Sequence, residues 1–345
     1  MTSSTWRIGV IGAGWFASRR HCPDVVSHTQ TQLTSLCRLN ETALAKMGEA
    51  FQVDDLYTDY RELIASGLVD AVLICSPHDD HYEHTLAALE AGLHVLLLLE
   101  KPITIDPKQG QQLVDRAAEL GRVLLVAQNP PYWRHCERLR QAFSGGELGA
   151  LESASIGWVG NALGVLGRQP LPDDLPGVVP PTLFRGDATA HGGFLVDGGS
   201  HLLCELIWCT ELRVDNVTAQ MDDDRADVRA VLGLEMSNGA MVSLVQTADS
   251  QIRSKRQYCT YYGSQGTALV TGFPFQLQLQ TASGTQQWSE EELPDLPTPL
   301  DDFVSAMNGD AQIRIKGTTA VHIVEILAAA YEAAQSGQRT AVTKV

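Results

Sequence analysis

Over the first 128 residues, short apolar runs alternate with amphipathic stretches. Runs at 7–11, 33–38, 71–75, 95–99 and 123–127 read as strands. Between them, 40–51, 82–91 and 108–120 carry apolar residues at helical spacing. Continuous apolar strands separated by helices predict a doubly wound parallel sheet covered on both faces. Asn129-Pro130-Pro131 breaks the rhythm, a helix follows over 133–143, and Gly145-Gly146 stops it. Later segments alternate more strictly: 151–159, 228–236, 240–247, 257–262 and 275–280, with turns such as Ser237-Asn238-Gly239. They predict an α+β domain with an open, mostly antiparallel sheet, one face covered. Five prolines between Pro170 and Pro181 predict an extended loop, over an active site or reaching a neighbouring subunit. A helix over about 320–335 comes last. The expected division is 1–128 and 129–345.

Charge narrows the partners. The 345 residues carry 25 Lys+Arg against 41 Asp+Glu, a net charge of −16. This excess of acid argues against binding nucleic acid or an anionic membrane surface. The aliphatic run Val95-Leu96-Leu97-Leu98-Leu99 is far shorter than a membrane span. The polar start of the chain has no signal-peptide pattern, and the seven cysteines (22, 37, 75, 136, 204, 209, 259) show no C-x-x-C spacing. The expectation is a cytoplasmic chain with reduced, buried thiols.

Candidate chemistry begins at residue 12. Gly12-x-Gly14-x-x-Ala17 follows the first strand and opens a helix at Trp15 and Phe16. Gly12 permits the tight turn, Gly14 lets a pyrophosphate approach the backbone, and Ala17 allows close helix–strand packing. The second strand ends in Cys37-Arg38, with no acid until Glu41. An NAD site wants Asp or Glu there for the ribose 2′-hydroxyl, whereas an Arg suits a 2′-phosphate. The expected cofactor is therefore NADP, with NAD as the alternative. Glu100-Lys101-Pro102 follows a fully apolar strand, at the sheet edge where ligands bind. Asp197 and His201 stand four apart in Gly192-Gly193-Phe194-Leu195-Val196-Asp197-Gly198-Gly199-Ser200-His201. On a helix over 195–207 they share a face, where a carboxylate orients an imidazole for proton transfer.

In order, the chain shows the N-terminal glycine fingerprint, Ser76-Pro77-x-x-x-His81, Glu100-Lys101-Pro102, Gly146-Glu147-Leu148-Gly149, Phe184-Arg185, Asp197-x-x-x-His201 and Tyr262-Gly263-Ser264-x-Gly266-Thr267. This set resembles the glucose–fructose oxidoreductase/inositol dehydrogenase/rhizopine catabolism (Gfo/Idh/MocA) family over nearly the whole chain. The resemblance implies a Rossmann domain followed by an α/β domain whose open sheet packs on a partner subunit, giving a dimer or tetramer. It implies hydride transfer between a nicotinamide and a hydroxyl-bearing carbon of a sugar, cyclitol or related polyol. His201 would be the acid/base, Asp197 its orienting partner and Lys101 the hydroxyl-binding proton relay. Glu100 and Pro102 would shape the strand end, and Ser76, Pro77 and His81 would line the cofactor.

Three departures stand out. The family run G-x-H-V-L-x-E-K-P is two residues longer here, at Gly92-Leu93-His94-Val95-Leu96-Leu97-Leu98-Leu99-Glu100. An even insertion keeps the pleat, and at the strand's C-terminal end it would move Lys101 by about 6.6 Å. The helix–strand connection is expected to absorb it. Cys204 replaces a frequent Asp after the His, and Phe184 a common Trp.

Trp158, Asn161 and Arg185 are candidate substrate contacts, with Trp158 equally a core residue. His191 could face substrate or sit in a turn, Tyr132 could border the cleft, and His322 reads as structural. His78-Asp79-Asp80-His81-x-x-His84 has the look of a metal cluster, but the loop after a Rossmann strand explains it, and no metal is expected. A dinucleotide- or sugar-sensing regulator and a redox-assisted glycosidase are the competing functions.

Overall fold

The computed structural model describes residues 5–98, 101–164, 166–171, 175–181, 193–222 and 227–345. Glu100, Phe184, Arg185 and His191 lie outside the described residues. Among those described, no helix is long and apolar enough to cross a membrane.

The first sheet holds β1 (Trp6–Ile11), β2 (Thr31–Cys37), β3 (Asp55–Tyr57), β4 (Ala71–Ile74), β5 (His94–Leu98) and β6 (Leu124–Ala127). Their order is β3-β2-β1-β4-β5-β6, and every pairing is parallel. This is the doubly wound order, with its switch point between β1 and β4. All four residues of β4 and of β6 are buried, because helices cover both faces. The helices Glu41–Phe51, His81–Glu90 and Pro107–Glu119 occupy the predicted stretches. Asn40 and Asp106 cap two of them through their side chains, each accepting from a first-turn N–H.

The second sheet holds β7 (Leu151–Val159), β8 (Val214–Met221), β9 (Arg229–Met236), β10 (Met241–Thr247), β11 (Arg256–Gly263), β12 (Gly266–Gly272), β13 (Gln276–Thr281), β14 (Gly284–Ser289) and β15 (Thr340–Ala341). The order is β14-β13-β12-β11-β7-β10-β9-β8-β15, antiparallel except for the parallel pair β7–β10. On β11 Cys259 and Tyr261 are buried while Tyr258 and Tyr262 are exposed, the alternation of a sheet covered on one side. The covered face meets the helix Ser200–Thr210, whose Glu205 accepts from Tyr261 Oη and Gln257 Nε2, both at 2.8 Å.

The chain divides into two compact units. The first takes the described residues of 1–127, 170–184 and 297–321; the second takes those of 128–169, 185–296 and 322–345. The sequence reading assigned everything after 128 to the second domain. The two returning segments join the first because they complete its core. Val179, Leu300, Phe303 and Val304 are buried in the same cluster as Ile8, Leu36 and Leu73. The proline-rich segment docks through Trp15 Nε1, which donates to Pro176 O at 2.7 Å, and through Val178 N, which donates to Ser18 Oγ at 3.0 Å.

Candidate functional site

In the first unit the site is built largely of main chain. Gly12 stands at φ +83°, and Gly12 N and Ala13 N both donate to Cys37 O at 3.0 Å. A Cβ on Gly12 would lie 2.5 Å from Ser76 N, and one on Gly14 would lie 3.2 Å from Arg38 Nη1. Only glycine leaves the approach at 12 open, whereas the neighbour at 14 is the movable end of an arginine. Ala17–His21 is a π-helical turn rather than the regular helix expected, and it runs into the helix Cys22–Ser27. Ala17 is buried, as close helix–strand packing requires.

Gly12, Gly14, Arg38, Ser76 and Pro77 line one cavity of about 740 Å³, at the C-terminal ends of the parallel strands. A cradle that a Cβ would fill, backed by the start of a helix, fits a dinucleotide pyrophosphate. Arg38 Nη1 donates to Ala13 O at 3.1 Å, and partial burial lowers the guanidinium pKa. Arg38 forms no ion pair with an acid among the described residues, whereas Arg61 on the same cavity pairs with Glu83 (2.5 Å) and Asp59 (3.5 Å). Asp59, Tyr60, Arg61 and Glu83 also line this cavity, and sequence reasoning did not single them out; His84, named there only as part of a metal-like run, lines it too. Three of them follow the three-residue strand β3, too short to show a period.

Several candidates lie elsewhere. Trp15 and Phe16 hold Arg19 over their rings, at 4.8 and 5.4 Å from the centroids. His81 was expected to line the cofactor, but it is fully buried. Its Nδ1 lies 2.9 Å from Pro102 O and its Nε2 3.1 Å from Ser76 O. Burial lowers its pKa to about 4, so near neutral pH the ring is uncharged and donates to one carbonyl at a time. His81 thereby ties the loop after β4 to the loop carrying Lys101. His84 of the same run pairs with Ser76 Oγ at 2.9 Å. Lys101 is 6% exposed and precedes a cis peptide bond to Pro102.

The sequence reading placed the two extra residues in the connection between helix and strand. Only Ala91, Gly92 and Leu93 connect the helix His81–Glu90 to β5, and His94 is already paired with Ala71.

In the second unit, Asp197 and His201 do not ride one regular α-helix. Asp197 lies in the π-helical turn Leu195–Gly199, and His201 in the first turn of the helix Ser200–Thr210. Both are half-buried. Trp133, the residue before the helix Arg134–Ser144, places its ring 6.3 Å from that of His201 and stacks on His135 at 5.6 Å. The sequence reading had named its neighbour Tyr132; only a change of rhythm marks this position. Cys204 is fully buried beside Glu205, and burial pushes its thiol pKa well up.

Trp158 stacks on Phe194 at 5.4 Å and packs against Leu166, Val228 and Ala248, which is a core role. Asn161 braces a loop: its Nδ2 donates to Ser250 O at 3.1 Å and its Oδ1 accepts from Leu163 N at 3.1 Å. His322 accepts from Val214 N through Nε2 at 3.0 Å, while its Nδ1 pairs with Glu325 at 2.8 Å. Among the described residues, His135, Cys136 and Glu205 bring ligand-type atoms within 4.8 Å of one another. Hydrogen bonds already account for them, since His135 pairs with Glu290 and Glu205 with Gln257 and Tyr261.

Residues 6–128 match the model of the oxidoreductase family with an NAD-binding Rossmann fold, and residues 136–269 match the GFO/IDH/MocA C-terminal domain. The D-glucoside 3-dehydrogenase of Escherichia coli is 30% identical over 203 residues, 59% of this chain and 53% of that protein. The myo-inositol 2-dehydrogenase of Thermotoga maritima is 29% identical over 143 residues, 41% of this chain and 42% of that one. The chain thus matches about half the length of these curated relatives. A solved structure, the WlbA dehydrogenase from Bordetella pertussis in complex with NADH and UDP-GlcNAcA, superposes with a TM-score of 0.82 at 20% identity, covering all of both chains. With a parallel 3-2-1-4-5-6 sheet, a glycine cradle at its switch point and two matching domain models in sequence, the chain belongs to the Gfo/Idh/MocA oxidoreductase family.

Proposed function

We propose that this chain is an NADP(H)-dependent oxidoreductase acting on a hydroxyl or ketone carbon of a sugar, cyclitol or related polyol. The observation that carries the cofactor reading is Arg38, a cation beside Gly14 with no acidic ion-pair partner among the described residues. It stands where an NAD site would have an acid, and a guanidinium suits a 2′-phosphate. The named relatives act on D-glucosides and inositols, which supports the substrate class.

A bound nicotinamide supplies or accepts the hydride. Gly12 and Gly14 give the pyrophosphate its approach, and Arg38 would hold the 2′-phosphate. Lys101 would donate a hydrogen bond to the reacting oxygen, its loop fixed by His81. In oxidation His201 would take the hydroxyl proton, and in reduction return it, with Asp197 orienting the imidazole. Arg185 is kept as a substrate contact. The exposed face of the second sheet, with Met241, Val245, Tyr258 and Tyr262, is the surface proposed for a second copy.

Fluorescence titration with NADPH and NADH, monitored through the six tryptophans, tests the cofactor. NADPH is expected to bind tighter, and equal or reversed affinities refute the Arg38 role. An NADP(H) absorbance screen over sugars and cyclitols then tests the reaction; release of a leaving group with no net cofactor change would instead indicate glycoside cleavage.

A further inference from the structure

The turn that carries Asp197 has no local cap. The residue at its N-cap position, Phe194, contributes no side-chain hydrogen bond. First-turn N–H groups need an acceptor, and here it arrives from over thirty residues along the chain. Asp227 Oδ1 accepts from Phe194 N at 2.8 Å, and Oδ2 accepts from Leu195 N at 3.1 Å. The approach is close enough that a Cβ on Gly193 would lie 1.5 Å from Asp227 Oδ1, so glycine at 193 is a condition of the contact. Tyr331, from the helix Gly317–Ser336, donates its hydroxyl to Oδ2 at 2.5 Å.

Asp227 is itself held in place. It is 6% exposed and precedes Val228, which is fully buried against Phe194, Leu166 and Ala248. Ala248 N donates to Val228 O at 2.7 Å, tying this residue to the end of β10. The second sheet and the last helix therefore converge, through one carboxylate, on the first turn of the segment bearing Asp197 and His201. A carboxylate at a helix start is favoured both as acceptor and by the helix dipole.

We propose that Asp227, clamped by Tyr331, is a positioning residue for proton transfer: by capping the Phe194–Leu195 turn it sets where Asp197 and His201 stand. It touches no reacting atom. The proposal rests on the reading of His201 as the acid/base.

The test is a histidine NMR titration of the full chain, with the His201 resonance assigned by its loss in His201→Asn. In Asp227→Ala the His201 signal is expected to move and its pKa to fall by about one unit, as its orienting carboxylate is displaced. Tyr331→Phe, which removes only a hydroxyl, is expected to give a smaller shift in the same direction. Asp227→Asn keeps an acceptor oxygen and is expected to restore most of the wild-type titration. The NADPH dissociation constant should stay unchanged in all three, which separates repositioning from loss of fold. An unmoved His201 titration in both Asp227→Ala and Tyr331→Phe overturns the clamp. Turnover that survives His201→Asn overturns the acid/base reading instead, and with it the clamp's catalytic purpose.

Discussion

The two units build their sites from different material. In the first, the decisive groups belong to the backbone: two glycines, the amide of Ser76 and the start of a helix. In the second, the groups proposed for proton transfer are side chains, and partners distant in sequence bond the turn that carries one of them. Asp197 sits on a wide turn whose first N–H groups donate to Asp227, itself bonded by Tyr331, and His201 follows in the next helix. A backbone cradle is fixed by local geometry and binds any ligand with the right phosphates. A side-chain site can be retuned by changing its supports.

The sharpest way to separate the halves is to remove the proposed proton-transfer groups. Lys101→Met and His201→Asn should each lower turnover on the order of 10²–10⁴-fold. NADPH affinity, measured by fluorescence, should be preserved; if it collapses too, those residues hold cofactor or fold rather than substrate.

The opposite dissection is Gly12→Val. Positive φ and the 2.5 Å approach to Ser76 N make any side chain there strained. Dinucleotide affinity should fall on the order of 100-fold, or about 3 kcal/mol. The His201 titration should hardly move. A Gly12→Val chain that still binds NADPH tightly would remove the cradle from the account.

Arg38→Asp asks whether one side chain decides an otherwise main-chain site. The NADPH-to-NADH preference should fall roughly tenfold or more. Unchanged dissociation constants for both would mean that the 2′-phosphate is read elsewhere.

The smallest expected effect concerns pH. Burial holds His81 at about 4 and His21 at about 3, both below the unfolded value of 6.5. Both rings are neutral in the fold, so their contribution to stability is complete above pH 6.5. It is lost as pH falls from 6.5 toward those folded values, because the unfolded chain binds the proton first. The thermal midpoint should drop by a few degrees between pH 7.5 and 5. Among the described residues neither ring nitrogen of His21 has a hydrogen-bond partner, so His21→Leu should flatten that slope. An identical slope in the variant would assign the acid sensitivity to other groups.

These contrasts track what the sequence discloses. The glycine turn is legible because Gly12, Gly14 and Arg38 lie within one β-α-β unit, where spacing dictates position. Long strands such as β7 and β10 show their period directly. By contrast β3 is too short, and β14, Gly-Thr-Gln-Gln-Trp-Ser, is an exposed edge with scarcely any apolar face. Asp227 could not be connected to Phe194 by any spacing rule, because the contact exists only once β9 and the last helix have packed. The π-helical turns evade a reading built on a period of 3.6. His81 shows a related limit: spacing placed it after a Rossmann strand but not its burial between Pro102 O and Ser76 O.

The discontinuity of the first unit has a consequence for how the protein is made. Its core cluster contains Leu300, Phe303 and Val304 from near the end of the chain. When the ribosome has released the six parallel strands, the apolar surface that those residues will cover is still open. The roughly 175 residues from there to Val304 take about 9–35 s to synthesise at ordinary elongation rates. During that interval the apolar surface those residues will cover stays open. A fragment ending near residue 128 would keep that condition permanently and should aggregate, so the cofactor half cannot be cut free by trimming the chain at the expected domain boundary.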